Sequence, residues 1–321
     1  MLKTLSYKKI PHLTLTTLLP PYPDYAYFEG HKIFPFDPHS TAFSLPNAWW
    51  LAEASTLVYA EPDVVLPLFK KVGLKDVSFF ETGSTQCFVA ANNRFAIVSF
   101  RGTEVSEHKG RIDFQAMAAD FITDADLWMS DWDNGGKAHR GFKKALDDIW
   151  KDLYASLESI RSRGCTIWMT GHSLGAALAT LAGDRYEKTQ AVYTFGSPRV
   201  GNAVFKEKYK TPCYRIVHNR DIVARVPPPI FYRHVGEIQF IDGHGKIHPQ
   251  MEGSGKAEHF SQDDLNGHKD LAGSNENSVS GPIPDAIRDH VPLFYAVFLW
   301  NNLVAGENSS AKDDEDRRPM V

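Results

Sequence analysis

Apolar side chains recur at helical spacing through "RGFKKALDDIWKDLYASLESIRSRG". Phe142, Leu146, Ile149, Trp150, Leu153, Leu157 and Ile160 share one side of a helix that Gly164 ends. Upstream, "SLPNAWWLAEASTLVYAEP" predicts another helix, with Ser44 as its cap, Pro46 in its first turn and Pro62 as its stop. Between them lie short runs rich in aromatic and β-branched residues, "VSFFET", "TQCFVAANN" and "RFAIVSF", which read as strands. Downstream come the strand "TIWMT", a helix from Leu174 to Arg185, and the strands "AVYTFG" and "YRIVHN". "YRHVGEIQFIDGHGKIH" then reads as a hairpin turning at Asp242-Gly243. Strands that alternate with helices need crossovers, so the fold class is α/β, with a mostly parallel central sheet flanked by helices.

The flanks differ in composition. Residues 1–43 are rich in Pro, Tyr and Phe and read as an extended arm lying over a core. Residues 250–282 are polar and rich in Gly, Ser and Asn, hence an irregular insertion, and the tail 306–321 reads as disordered. Residues 44–305 are left as the folded domain, without internal repeats.

A chain of 321 residues, 43% hydrophobic and 23% charged, can bury a sizeable core. Its formal net charge of -4, with basic residues scattered, gives no electrostatic reason to expect nucleic acid. Cys87, Cys165 and Cys213 are too few and too far apart for a disulfide framework or a zinc site; buried thiols are expected, with one disulfide as the alternative. "HGKIH" lacks a companion acid and a helix, so no metal is expected. Leu13 to Leu19 is broken by threonines and makes a poor signal peptide, so cytoplasmic residence is the default expectation, with signal-independent export open. Val291 to Val304 is shorter than the ~20 residues a transmembrane helix needs, and no span is expected. Nothing here fixes an oligomeric state.

The candidate chemistry sits in "TIWMTGHSLGAALATLAGD". The pentapeptide G-x-S-x-G is weak alone, but here a strand precedes Ser173 and a helix of small residues follows it. Gly171 and Gly175 remove side chains that would collide in so tight a turn, and the helix start points N–H groups at any charge forming beside Ser173. The alternative is a tight turn with an inert hydroxyl. A hydroxyl needs a base and something to orient that base. Asp221, just past "YRIVHN", fits the orienting acid better than Asp184, at the far end of the helix, or Asp242, in the hairpin turn; an Asx turn is the plainer reading. His290, ahead of "VPLFYAVFLW", completes the order Ser, Asp, His. It is preferred on that ground to His268, and to the loop histidines His244, His248 and His259. His172 should point away from the reaction.

The segments "VSFRGTE", "DFITDADL", "AHRGF", "TGHSLGAALA", "FGSPRVGN", "HNRDIVARVPP" and "RDHVPLFY", in that order, resemble the class 3 lipases, the fungal-type triacylglycerol lipases of the α/β-hydrolase fold. The resemblance implies Ser173 as nucleophile, Asp221 as orienting acid, His290 as base, and an oxyanion hole from Thr103 and the Leu174 N–H. It also implies a lid at about 104–119, with Phe114, Ala116, Met117 and Ala118 as its apolar side. Trp128, Met129 and Trp132 join the candidate acyl-pocket or lid residues, with core packing as the rival reading of the two tryptophans. The expected activity is hydrolysis of acylglycerol esters, at an oil–water interface, with no metal or organic cofactor. Phospholipase A1 and a soluble-ester or feruloyl esterase are the rivals within the class. A lipid-binding protein with an inactive hydrolase fold is the rival outside it. The secretion signals and disulfides of the fungal relatives are not apparent here.

Overall fold

Successive side chains of the strand Phe95–Phe100 (β3) point to opposite faces. Phe95 and Ile97 enter one apolar cluster, while Ala96, Val98 and Phe100 enter another. The same division runs through the whole sheet and makes the fold three-layered. It is seen in a computed structural model that describes residues 5–10, 20, 22, 24–83, 85–102, 128–250 and 285–316. Before β3 lie β1 (Asp76–Thr82) and β2 (Thr85–Ala91). After it come β4 (Met129–Asp131) and β5 (Lys137–His139), which form a separate two-stranded ribbon. The remaining strands are β6 (Thr166–His172), β7 (Ala191–Phe195), β8 (Cys213–His218), β9 (Glu237–Ile241) and β10 (Ile247–Gln250). The main sheet has the order β1-β2-β3-β6-β7-β8-β9-β10. β3, β6, β7, β8 and β9 run parallel, and the outer pairs are antiparallel.

On one face lie α1 (Leu45–Leu57), α2 (Pro62–Lys71) and α7 (Pro292–Asp316); on the other lie α3 (Arg140–Ser162) and α4 (Leu174–Arg185). Two short helices, α5 (Ala203–Lys208) and α6 (Asp285–Arg288), complete the set among the described residues. The Ser44 hydroxyl caps α1 by accepting from the Asn47 N–H, as the sequence predicts. Pro62 both ends that segment and begins α2, because proline lacks only an N–H that a first helical turn leaves unpaired anyway. α1 and α4 are buried on nearly every side, which accounts for their run of alanines.

The amino-terminal arm is part of this core. Tyr22, Tyr27, Phe28, Phe34 and Phe36 are buried in the same cluster as α1 and α7. A buried carboxylate, Glu53 of α1, gathers the arm by accepting from the Tyr25 hydroxyl at 2.7 Å and the Phe28 N–H at 3.3 Å, with the Lys8 ammonium 3.6 Å away.

Two expectations change. α7 continues through Asp316, where a disordered tail was expected from residue 306. The buried first half supplies the costly nucleus, and each further residue then adds a hydrogen bond. All three cysteines are buried free thiols, so the disulfide alternative falls. The insertion expected at 250–282 lies, apart from Gln250, outside the described residues. No helix among the described residues is long and apolar enough to cross a membrane.

Candidate active site

Parallel registry brings one end of the sheet together. Phe100 pairs with Gly171, His172 with Phe195, and Phe195 with Ile216, so the residues that follow β3, β6, β7 and β8 share one rim. Ser173 leaves β6 at φ 59 and ψ -127, a conformation that costs an L-residue about 1–3 kcal/mol. Two glycines make the turn possible. A Cβ on Gly171 would collide with the carbonyl of Gly175, and one on Gly175 with the carbonyl of Phe100. α4 therefore starts hard against the end of β3. The N–H of Leu174 is among those that a first helical turn leaves unpaired, and they point toward this rim.

Asp221 and His290, 69 residues apart, meet here. His290 Nδ1 donates to Asp221 Oδ2 at 2.9 Å, and both side chains are buried. That fixes the tautomer: with the proton on Nδ1, Nε2 carries a lone pair. The other oxygen of Asp221 accepts from the Val223 N–H at 2.8 Å, and Oδ2 accepts a second, short bond of 2.5 Å from the Tyr295 hydroxyl. Burial works against the charged carboxylate. The imidazole of His290, its hydrogen bond and the Tyr295 phenol outweigh burial and hold Asp221 below the usual carboxylate range. Gly196, at φ +57, leaves room for the pair, since a Cβ there would press on Asp221 Oδ2 and His290 Nδ1.

Ser173 Oγ and His290 Nε2 are both buried and both without a hydrogen-bond partner. Ser173 donates its N–H to the Phe195 carbonyl at 3.1 Å, and Gly196, the next residue, touches His290. Two orphaned polar atoms thus border the same strand end. Buried groups left without partners are rare enough to need a reason, and a place in catalysis is one.

His172 does point away from the hydroxyl, but it has work of its own. Its Nε2–H donates to the main-chain carbonyl of His290 at 2.7 Å, and its Nδ1 accepts from the Tyr59 hydroxyl at 2.9 Å. The Tyr59 oxygen in turn accepts from the N–H of Gly102. Burial, followed by the neighbouring His290, keeps His172 well below the ordinary imidazole range, hence neutral. Asp289 adds a further tie: its carboxylate accepts from the Asn219 side chain at 2.8 Å and the Arg220 N–H at 3.2 Å, joining the two loops that carry His290 and Asp221.

The remaining candidates divide. Thr103, Phe114, Met117, His259 and His268 lie outside the described residues, as does the expected lid. Asp184 sits at the far end of α4, and Asp242 in the hairpin turn, where His248 Nε2 donates to it at 2.8 Å. Trp132 packs into the core, the rival reading of that tryptophan. It is buried against Phe205, and its indole N–H donates to Asp184 at 2.6 Å, about 16 Å of helix away from Ser173. Met129 lies half-buried in β4, and Trp128 beside it is 67% exposed. Among the described residues no group of three or more His, Cys, Asp or Glu could hold a metal ion.

Residues 97–231 match the family model described as Lipase (class 3). Over that segment the chain resembles the class 3 lipases. Over 118 residues the chain is 36% identical to "Secreted mono- and diacylglycerol lipase 1" of Fusarium solani, covering 34% of its own length and 35% of the relative's. Over 96 residues it is 36% identical to "Phospholipase A(1) DAD1, chloroplastic" of Arabidopsis thaliana, covering 27% of its own length and 22% of that protein. The chain thus spans about a third or less of the length of these curated relatives. The crystal structure of a mutant form of MDLA from Penicillium cyclopium shares the fold, with a TM-score of 0.54 at 18% identity over 78% of this chain and 95% of that one. The match of residues 97–231 takes in Thr103, Ser173 and Asp221 but stops short of His290, which the fold alone brings to the site.

Proposed function

We propose that this chain hydrolyses the carboxylic esters of lipids, acylglycerols foremost, through an acyl-enzyme on Ser173. His290 Nε2 takes the hydroxyl proton as Ser173 attacks the ester carbonyl, and Asp221 stabilises the imidazolium that forms. The Leu174 N–H and Thr103 stabilise the oxyanion. His290 then returns the proton to the leaving alcohol, and water repeats the sequence to free the acid. The reading rests chiefly on one observation: a strained, buried hydroxyl and a buried imidazole nitrogen share a sheet rim, and neither has a partner. The choice of substrate class rests on the family and on the Fusarium relative's name.

The second reading, a phospholipase A1, draws on the Arabidopsis relative. Hydrolysis rates across acyl lengths, on acylglycerols and on phospholipids, separate the two. Fluorophosphonate should label the chain, and Ser173→Ala should abolish labelling and lower kcat on the order of 10⁵–10⁶-fold. Thr103→Ala should cost about 10²–10³-fold in kcat. A chain that is folded yet unlabelled would support an inactive lipid-binding protein instead.

A further inference from the structure

Pro228, Pro229, Ile230 and Phe231 are four consecutive exposed apolar residues. Ile230 and Phe231 are 73% and 70% exposed, more than any other large apolar side chain among the described residues. A run of this length on a soluble surface is a liability unless it has a task. It is also held in shape. Pro227 and Tyr232, which bracket it, are buried, and the Tyr232 ring packs against His139 of β5 at 6.0 Å. Three successive prolines restrict the backbone entering the tip. The Arg233 guanidinium ties its base by donating to the carbonyls of Pro229 and of Tyr232, the latter at 2.8 Å.

Position and charge narrow the occupant. The loop lies in the crossover between the turn at Asp221, on the rim that carries the candidate site, and β9, whose Glu237 pairs with Tyr214 near the start of β8. From Ile222 to Gly236 the chain carries Arg225 and Arg233 and no acidic residue, against a protein of net charge -4. Trp128, 67% exposed, flanks the same ribbon: β4 pairs with β5, Ala138 of β5 bridges to Gly201, and Gly201 bridges to Arg233. Three strand spacings, about 14 Å, separate its edges.

We propose that the 228–231 tip docks the protein on an anionic lipid surface, Ile230 and Phe231 entering the acyl boundary while Arg233 meets the headgroup phosphates. A tip already ordered loses little entropy on insertion, and a paired cation and apolar tip suit the boundary between headgroups and chains. This deepens the hydrolase reading by naming a fixed anchor for the surface on which that reaction would run.

The test is vesicle co-sedimentation of the full chain carrying Ser173→Ala, so that the lipid is not consumed. Vesicles are phosphatidylcholine alone or phosphatidylcholine with phosphatidylglycerol. Binding should favour the anionic vesicles and weaken with salt. Adding Ile230→Ser and Phe231→Ser should lower partitioning on the order of 10–100-fold. Arg233→Gln should lower it severalfold on anionic vesicles alone. Thermal melting shows that each variant is folded. A folded double variant that binds like its parent overturns the proposal, as does a parent that binds neither vesicle or both equally. Fluorophosphonate labelling of the unsubstituted chain keeps the two readings apart: a labelled chain whose Ser173→Ala form ignores vesicles sinks only the anchor, and an unlabelled chain that binds them sinks only the hydrolase.

Discussion

Substituting His172 tests how His290, the proposed base, is held. In His172→Phe a ring can still lie where the imidazole lies, 4.4 Å from the ring of His290, but two hydrogen bonds disappear. The His290 carbonyl loses its 2.7 Å donor, and the Tyr59 hydroxyl loses its 2.9 Å acceptor. Each buried group left unpaired costs about 1–3 kcal/mol, so stability should fall by about 2–6 kcal/mol. The catalytic effect arises at the carbonyl, because that bond fixes the backbone from which His290 reaches toward Ser173. A shift approaching 1 Å costs on the order of 10²-fold in rate. The loss should fall chiefly on kcat, since the contact removed is one to the main chain of His290. Neutrality of the ring is part of the design. A charged His172 at this separation would oppose the His290 imidazolium by about 4 kcal/mol at an effective dielectric of 20.

Tyr59→Phe separates structure from catalysis. It orphans the Gly102 N–H and one nitrogen of His172 but keeps the bond to the His290 carbonyl. Its stability loss should resemble that of His172→Phe, with only a few-fold loss in kcat. In the double variant the phenol is gone but the Gly102 N–H that it served is unpaired in its place, so stability should stay close to that of His172→Phe while kcat stays low. Urea melts and ester hydrolysis under saturating substrate provide both readouts. A His172→Phe protein with kcat within twofold of the parent, or a double variant that regains its rate, would refute the positioning role.

Three further outcomes are expected. Tyr295→Phe removes the 2.5 Å donor from Asp221, so kcat should drop about tenfold and the acid limb of the pH–rate profile should move up, because a hydrogen bond that favours the charged carboxylate is lost; an unmoved limb contradicts this. His234 is held well below the ordinary imidazole range by burial and then by Arg215 and Arg199. It stays neutral in the fold while the unfolded chain takes up a proton below about pH 6.5, so stability falls as pH falls, by about 1.4 kcal/mol from pH 7.5 to 5.5, and His234→Gln should flatten urea-melt stability against pH by that amount. Trp132→Phe should cost about 1 kcal/mol through the lost bond to the Asp184 carboxylate, which Asn134 alone then serves, and leave the acyl-length profile unaltered, whereas a changed profile would return Trp132 to the pocket.

The parts of this site legible in the sequence are those where a local backbone demand leaves a residue signature. The glycines flanking Ser173 are such a case, because any side chain at either position collides with main chain. So are the strand runs and the Ser44 cap. Trp132 was ambiguous for the opposite reason: a tryptophan in a short mixed segment has no period, and its environment comes from Asp184, 52 residues away.

Tyr59 carried no signal, and Asp289 and Tyr295 stood within the motif "RDHVPLFY" without any sign of their roles. Each lies in or beside a segment whose apolar pattern is satisfied by core packing, and each earns its place through a partner at least 69 residues distant. What they share is a reason. A buried Asp221 carboxylate facing a buried imidazole is costly unless every remaining lone pair is occupied, and the loop carrying His290 must not drift. Tyr295 and the Val223 N–H fill the carboxylate, Asp289 binds the two loops, and Tyr59 with His172 secures the backbone behind the imidazole. The strain at Ser173 is tolerated because these contacts leave its neighbours no alternative arrangement. Loosening any one of them should therefore reach the reaction through the position of His290.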